Sequence, residues 1–417
     1  MKKSVYIIQC PPSWVKTAPL SLVYLENYLK NCGVRVKTRD LNIEFFKASG
    51  LSLKGWLSLN QEFEKSLFQK TMVAYPSFLK SLYKDIADYD YIGFSIFKRN
   101  ADFSFLLADV IKEKFPAKAV IFGGPEALSM VPADRANHNG HWVIGEGELA
   151  LAKIVGEDKK ETYPFEEISD LDALPFLNFG CLGMENYSNS IPLFSSRGCK
   201  FNCRFCAEKK LYKNFRHHSA GYMAEMIGKL KNEYDINNFV FCDSLINYDD
   251  GWLEKLCSLL IEKNISIKWE AQMRVAKSLD VDLGRLMKKS GCYNLFIGLE
   301  SASEHTLKRM NKGFDTQTAA DFLLKLRNSG LQFEISLIFG YPGETDTDFK
   351  ETLDFITKNK KIIPKIAQAN PFVDYLGNFP GETFPSETAK KRIKTFLKVI
   401  ETEKIRYTKS FINNLVY

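Results

Sequence analysis

Short apolar runs alternate with helix-patterned stretches along most of the chain, and this alternation restricts the possible folds more than any other feature of the sequence. Val5-Tyr6-Ile7-Ile8 is followed by an amphipathic segment from Leu20 to Asn31, closed by Gly33, and then by a second run from Val34 to Thr38. A less regular helical segment is expected over about 58–84. Tyr91 to Phe97 leads into a helical stretch near 101–115, Ala119 to Phe122 into Gly123-Gly124-Pro125, and Trp142-Val143-Ile144 into Gly145-Glu146-Gly147-Glu148. Runs this short, bounded by Gly and Pro, read as strands, and strands separated by helices pair in parallel. The expectation is an α/β protein that begins with a doubly wound, Rossmann-like parallel sheet.

A polar, proline-containing stretch from Ile168 to Phe176 reads as a connection between domains. From Ile191 the strand-then-helix pattern recurs about six times, which predicts a partial (β/α)6 barrel of the TIM type. The expected domains are therefore 1–155, a linker at 156–184, a barrel at 185–375 and a helical extension at 376–417. Residues 387–417 hold eight Lys and Arg against three Glu, with Ile393, Phe396, Leu397 and Ile400 on one helical face. That pattern predicts a docked amphipathic helix that closes the substrate pocket, rather than a nucleic-acid arm.

Nine cysteines in 417 residues would not be expected to fall by chance into the order Cys-x-x-x-Cys-x-x-Cys, yet Cys199, Cys203 and Cys206 do. Three readings compete. The spacing matches one face of a helix, although Gly198, Lys200, Asn202 and Arg204 give the stretch the composition of a polar loop. A structural zinc site could recruit His217 or His218 as a fourth ligand, but no second pair of ligands follows at the usual spacing. Three thiolates without a fourth cysteine suit a four-iron cluster in which one iron is left open. The remaining six cysteines are isolated and read as small core residues.

The longest apolar runs are far too short to cross a bilayer, and Met1-Lys2-Lys3 leads directly into a strand, so a cytoplasmic location is expected. There thiols stay reduced and clustered cysteines point to metal rather than disulfides. The net charge of +7 is spread over a lysine-rich chain and reads as a solvated surface; no repeat, low-complexity tract or nucleic-acid motif is present.

The cysteine spacing, with the aromatic Phe205 immediately before the last cysteine, resembles the signature of the radical S-adenosylmethionine (SAM) enzymes. The resemblance implies a [4Fe-4S] cluster held by the three cysteines. It also implies SAM chelated to the open iron, and an electron donor such as flavodoxin or ferredoxin. Residues at successive strand ends match positions where that family contacts or shapes the SAM pocket: Asp243 and Ser244, Glu270 and Arg274, Glu300 and Ser301, and Gly340 and Pro342 within Gly340-Tyr341-Pro342-Gly343-Glu344-Thr345. Where the family more often shows a Pro-Gly-Thr-like turn, this chain has Tyr375-Leu376-Gly377-Asn378.

The first domain resembles the cobalamin-binding domain that precedes the radical domain in one large branch of these enzymes. Pro12 after the first strand, Ser95 and Phe97 in Ser95-Ile96-Phe97, Gly123-Gly124-Pro125, and Gly145-Glu146-Gly147 carry that likeness. The Asp-x-His-x-x-Gly motif with a cobalt-ligating histidine is missing, since the first loop reads Gln9-Cys10-Pro11-Pro12-Ser13-Trp14. The resemblance implies methylation of an unactivated carbon, or of a phosphinate phosphorus, on a small-molecule, natural-product or lipid-like substrate. Radical cyclisation or rearrangement with the same cofactors is the second expectation, and a non-enzymatic zinc-binding or interaction protein the third.

Overall fold

The computed structural model describes residues 3–57, 69, 76–156, 160–374, 379 and 387–408. The helix expected over about 58–84 and the turn Tyr375-Leu376-Gly377-Asn378 therefore fall partly or wholly outside the described residues; within them, helices span Leu53–Leu57 and Pro76–Ile86. The chain divides into two compact units, Met1–Ile191 and Pro192–Tyr417.

The first unit is built on strands β1 (Val5–Gln9), β2 (Val36–Asp40), β3 (Tyr91–Ser95), β4 (Ala119–Gly123), β5 (His141–Val143) and β6 (Thr162–Tyr163), in the order β2-β1-β3-β4-β5-β6. Every neighbouring pair is parallel. β1 and β3 are buried at every position, as central parallel strands covered on both faces must be, which is why they read as continuous apolar runs. Leu22 and Leu29 from the helix Leu20–Asn31 pack with Val5, Ile7, Val36, Ile121 and Leu151. Phe103 and Phe105 come from the helix Ala101–Lys114; the Phe105 ring lies 5.2 Å from that of Phe122. The winding direction reverses between β1 and β3, and crevices for ligands form beyond the carboxyl ends of strands at such a point.

β6 extends this sheet one strand past the run at Trp142–Ile144 that the sequence marks as the last. The polar stretch read as a connection lies in the first unit and is tied to it. Ile168 N–H donates to Glu146, and beyond the stretch Asn178 N–H donates to Asn27, the Tyr187 hydroxyl to Asp40, and Ser188 N–H to the Lys16 carbonyl.

The second unit carries β10 (Asn238–Phe241), β11 (Lys268–Arg274), β12 (Cys292–Glu300), β13 (Phe333–Phe339) and β14 (Ile366–Pro371), each parallel to the next, with β7 (Ile191–Leu193) on the far side of β10. Unlike the first sheet, this one adds strands in chain order without reversal, the winding of a (β/α) barrel. A short antiparallel ribbon, β8 (Ser196–Arg197) with β9 (Arg216–His217), brackets the cysteine loop. The helices that return the chain start on side-chain caps: Ser219, Asp249, Asp280, Asp315 and Thr345 each accept a backbone N–H of the first turn. The helix Glu387–Thr402 buries Ile393, Phe396 and Ile400, and the Phe396 ring lies 5.2 Å from that of Phe339 on β13. Leu397, expected on the same face, is half-buried.

Candidate active site

The cysteine loop leaves the first strand of the second unit through Ser195 and Ser196. Ser195 N–H and hydroxyl donate to the Asp243 carboxylate at 3.0 and 2.8 Å, and the Ser196 hydroxyl donates at 2.5 Å. Burial pushes the Asp243 carboxyl up to about 6, against these hydrogen bonds. This residue, which follows β10, thus anchors the entrance to the loop. Gly198 turns the chain at φ 83°, and a Cβ there would stand 2.7 Å from the Asn214 carbonyl, so the turn requires glycine. Arg204 N–H donates to the Met310 carbonyl and Asn311 donates to the Asn202 carbonyl, which fix the loop's far side.

Cys199, Cys203 and Cys206 are all half-buried. Burial pushes the thiols of Cys199 and Cys206 up, the latter to about 11, so the thiolate form is one that a bound metal would favour. Arg274 brings a positive charge to the loop: Nη1 lies 3.0 Å from the Cys203 sulfur, while its guanidinium stacks 4.0 Å from the centre of the Phe201 ring. The arginine is 8% exposed. Its backbone is clamped by Asn247, which accepts from Arg274 N–H at 3.0 Å and donates to its carbonyl at 2.8 Å.

A second cation, Lys312, is buried beside this group. It donates to the Gly298 carbonyl at 2.9 Å, pairs with Glu300 at 3.6 Å and lies 5.6 Å from the rings of both Phe205 and Phe314. Glu300 sits at a bulge where β12 shifts register against β13, with φ 67°, a conformation uncommon outside glycine. Burial pushes its carboxyl up, opposed by Lys312 and by the Ser336 hydroxyl at 3.4 Å. Gln368 continues this chain of contacts by donating to Ser336.

Among the described residues no three His, Cys, Asp or Glu side chains converge on a point that one metal ion could occupy. A four-iron cube takes one thiolate on each of three irons and needs no such convergence. His217 and His218, the sequence candidates for a zinc ligand, are engaged with aromatic rings: His218 stacks on Tyr222 at 4.4 Å and His217 lies 5.3 Å from Tyr248. A polar, glycine-turned loop bearing three thiols beside two buried cations suits an anionic iron–sulfur cluster.

The other sequence candidates in this unit divide by what their side chains touch. Gly340, Tyr341 and Pro342 form the loop after β13. Tyr341 packs with Met310 and Phe372 against Phe205, so this loop and the cysteine loop share one apolar contact. The Pro342 carbonyl accepts from Arg309 at 2.9 Å. Ser301 is brought to the same rim, but its hydroxyl meets Thr352 and accepts from Ser303 N–H. Ser244 meets Glu208, the first residue of the helix Glu208–Leu211 that follows the cysteines. Glu270 is not brought to the cysteine loop: it lies four residues before Arg274 on β11, roughly 13 Å back along the strand, beside Tyr293.

Sequence reasoning missed Lys312, Asn247 and Arg309. Lys312 and Arg309 lie at or just past the end of the helix Glu304–Met310, where basic residues ordinarily complement the helix dipole, so nothing in the sequence marks them.

In the first unit, the nine residues expected at a corrin all lie beyond the carboxyl ends of β1, β3, β4 and β5, or at the last residue of β3 and β4. Pro12 follows β1. Ser95 ends β3, and its hydroxyl meets Ser21 at 3.3 Å. Phe97 N–H donates to Asn100, which also donates to the carbonyls of Cys10 and Ser95 and so ties the loops after β1 and β3 together. Gly123 ends β4. Gly124, at φ 114°, allows the close passage of Ile96, whose carbonyl would lie 2.6 Å from an added Cβ, and Pro125 opens the following helix. Gly145 likewise leaves no room for a Cβ beside the Phe165 ring, Glu146 accepts from Ile168 N–H, and Gly147 begins the helix Gly147–Val155.

Residues 193–356 match the Radical SAM superfamily. An uncharacterized methyltransferase of Pyrococcus horikoshii is 30% identical over 240 residues, 52% of each chain. The bacteriochlorophyllide d C-12(1)-methyltransferase of Chlorobaculum tepidum is 24% identical over 75% of this chain and 68% of its own. An anaerobic magnesium-protoporphyrin IX monomethyl ester cyclase of Synechocystis is 23% identical over 58% of this chain and 54% of its own. Among solved structures, the cobalamin-dependent radical SAM enzyme OxsB superposes on 99% of this chain with a TM-score of 0.67 at 16% identity. The radical SAM methyltransferase TsrM from Kitasatospora setae, solved with cobalamin and a [4Fe-4S] cluster, covers 89% with a TM-score of 0.65 at 13% identity. This chain spans about half the length of several of these proteins, 52% of the Pyrococcus relative and 56% of OxsB.

Proposed function

We propose that this chain, whose second unit contains a Radical SAM domain, is a cobalamin-dependent radical SAM methyltransferase acting on a small-molecule substrate. The observation that carries the reading is the Arg274 guanidinium set against the Cys203 sulfur, with the Lys312–Glu300 pair beside it, inside the segment that matches the superfamily. The Radical SAM domain implies a [4Fe-4S] cluster and SAM. Bound, these supply a carbon radical able to abstract hydrogen, and cobalamin supplies a methyl group.

Cys199, Cys203 and Cys206 would hold the cluster, and with no fourth cysteine in the loop the cluster would keep a position open for SAM. Arg274 and Lys312 would offset the negative charge of the thiolates and would be placed to meet the carboxylate of SAM through charge-assisted hydrogen bonds. Glu300, held at its bulge, accepts from a hydroxyl or ammonium group of SAM, and the backbone of Gly340 to Pro342 lines the pocket beside Tyr341. In the first unit, Pro12, the Ser95–Phe97 turn and the glycine turns at Gly123–Gly124 and Gly145–Gly147 form the corrin bed. A low-potential donor of the flavodoxin or ferredoxin class supplies the electron. No helix among the described residues is long and apolar enough to cross a membrane.

The test is anaerobic reconstitution followed by incubation with SAM labelled on its methyl group and with candidate substrates. Methylation places the label in product. Conversion of a substrate with no label incorporated would establish cyclisation or rearrangement instead, the reaction class of the Synechocystis relative.

A further inference from the structure

The loop after β13 is held from two sides. Arg309 donates to the Pro342 carbonyl, and a Cβ on Gly343 would lie 2.6 Å from the Arg309 guanidinium. On the other side the Glu344 carboxylate accepts from Gly340 N–H at 2.6 Å, closing the loop on itself. Arg392, from the helix Glu387–Thr402, donates to that carboxylate at 2.7 Å, to the Glu344 carbonyl at 3.2 Å and to Asp346 at 2.9 Å. The side chains of Arg392 and Glu344 are 8% and 1% exposed.

This pair is built for position rather than for cohesion. Among the described residues Glu344 Oε1 and Arg392 Nε are buried without a hydrogen-bond partner, and apolar residues of similar volume could join helix to loop without burying two charges. The helix already has that kind of adhesion in Ile393, Phe396 and Ile400. The ion pair acts on Gly340 N–H, next to Tyr341, whose ring packs in the cluster that includes Phe205 of the cysteine loop. Arg392 lies beyond residue 356, where the match to the superfamily ends.

We propose that the C-terminal helix is part of the SAM site: Arg392 is a positioning residue that sets the Gly340–Thr345 loop for SAM through Glu344. The proposal rests on the SAM-dependent reading above. It is tested in the reconstituted full chain by equilibrium dialysis with labelled SAM, and in SAM-free protein by hydrogen exchange of the loop peptide. Arg392→Met is expected to weaken SAM binding about tenfold or more and to release exchange protection at the loop, with iron and sulfide at wild-type levels. Arg392→Lys, which keeps the charge but loses the fork that spans Glu344 and Asp346, is expected to fall between the two. Arg392→Met combined with Glu344→Gln is expected to be no worse than Arg392→Met alone, because both act through one contact. SAM affinity within twofold of wild type in Arg392→Met would overturn the proposal, whatever the melting temperature. If that variant does not fold, the Arg392→Lys and Glu344→Gln proteins decide by the same two readouts. Wild-type protein that carries a cluster but does not bind SAM would sink the parent reading, a result distinct from any variant's.

Discussion

At the scale of single residues, several acids and amides act by holding backbone rather than by meeting a ligand. Asn247 grips Arg274 through both backbone groups, so Asn247→Ala is expected to weaken SAM binding while leaving iron content unchanged; loss of the cluster itself would show the residue to be structural. Asp40 offers a pH test. Burial raises its carboxyl to about 6, against hydrogen bonds from the Tyr187 hydroxyl and from Ile43 and Asn42 N–H. A carboxyl raised in the folded state adds stability while protonated, and that stability is lost as pH rises through the folded value. The wild-type protein is therefore expected to lose on the order of 3 kcal/mol between about pH 4 and pH 7 from this group, and Asp40→Asn to lose correspondingly less. Parallel pH–stability curves for the two proteins would contradict this. The three cysteines were legible in sequence because their spacing is itself the signal; Lys312 and Asn247 were not, because only the fold brings them to Arg274 and Phe205.

At the scale of elements, the strands were the most legible part of the chain. β1 and β3 are buried at every position and so are mostly apolar, whereas the two-residue β6, β8 and β9 are too short to leave a pattern. The strand-end loops were found by their glycines, but their side-chain roles depend on contacts far apart in sequence. Ser301 meets Thr352, and Asp348 joins Ser303, His305 and Thr345 across two loops. Asp348→Ala removes a capping box and these partners and is expected to cost about 2–3 kcal/mol in denaturant unfolding. Gly124→Ala forces a side chain into φ 114° and against the Ile96 carbonyl, and is expected to cost about 1–3 kcal/mol. Full corrin retention in that variant would argue against a corrin bed at this turn.

At the scale of the whole molecule, two α/β units of different winding sit on one chain, one reversing between β1 and β3 and one adding strands in order. Both histidines of the first unit lie at the amino-terminal edge of its sheet: His141 begins β5, and His138, just before it, stacks on Phe105 at 3.7 Å. The loops proposed to bind the corrin lie at the opposite edge. Replacing His138 and His141 with Gln is therefore expected to leave the paramagnetic resonance spectrum of bound cob(II)alamin unchanged; a changed nitrogen coupling in that variant would assign one of them to cobalt. Cluster and corrin on one chain are tested by metal, sulfide and corrin analysis of the full chain after anaerobic purification and reconstitution. The expected result is about four iron and four sulfide per chain, together with one corrin, and a cluster signal that shifts when SAM is added. About one zinc with no sulfide would contradict it.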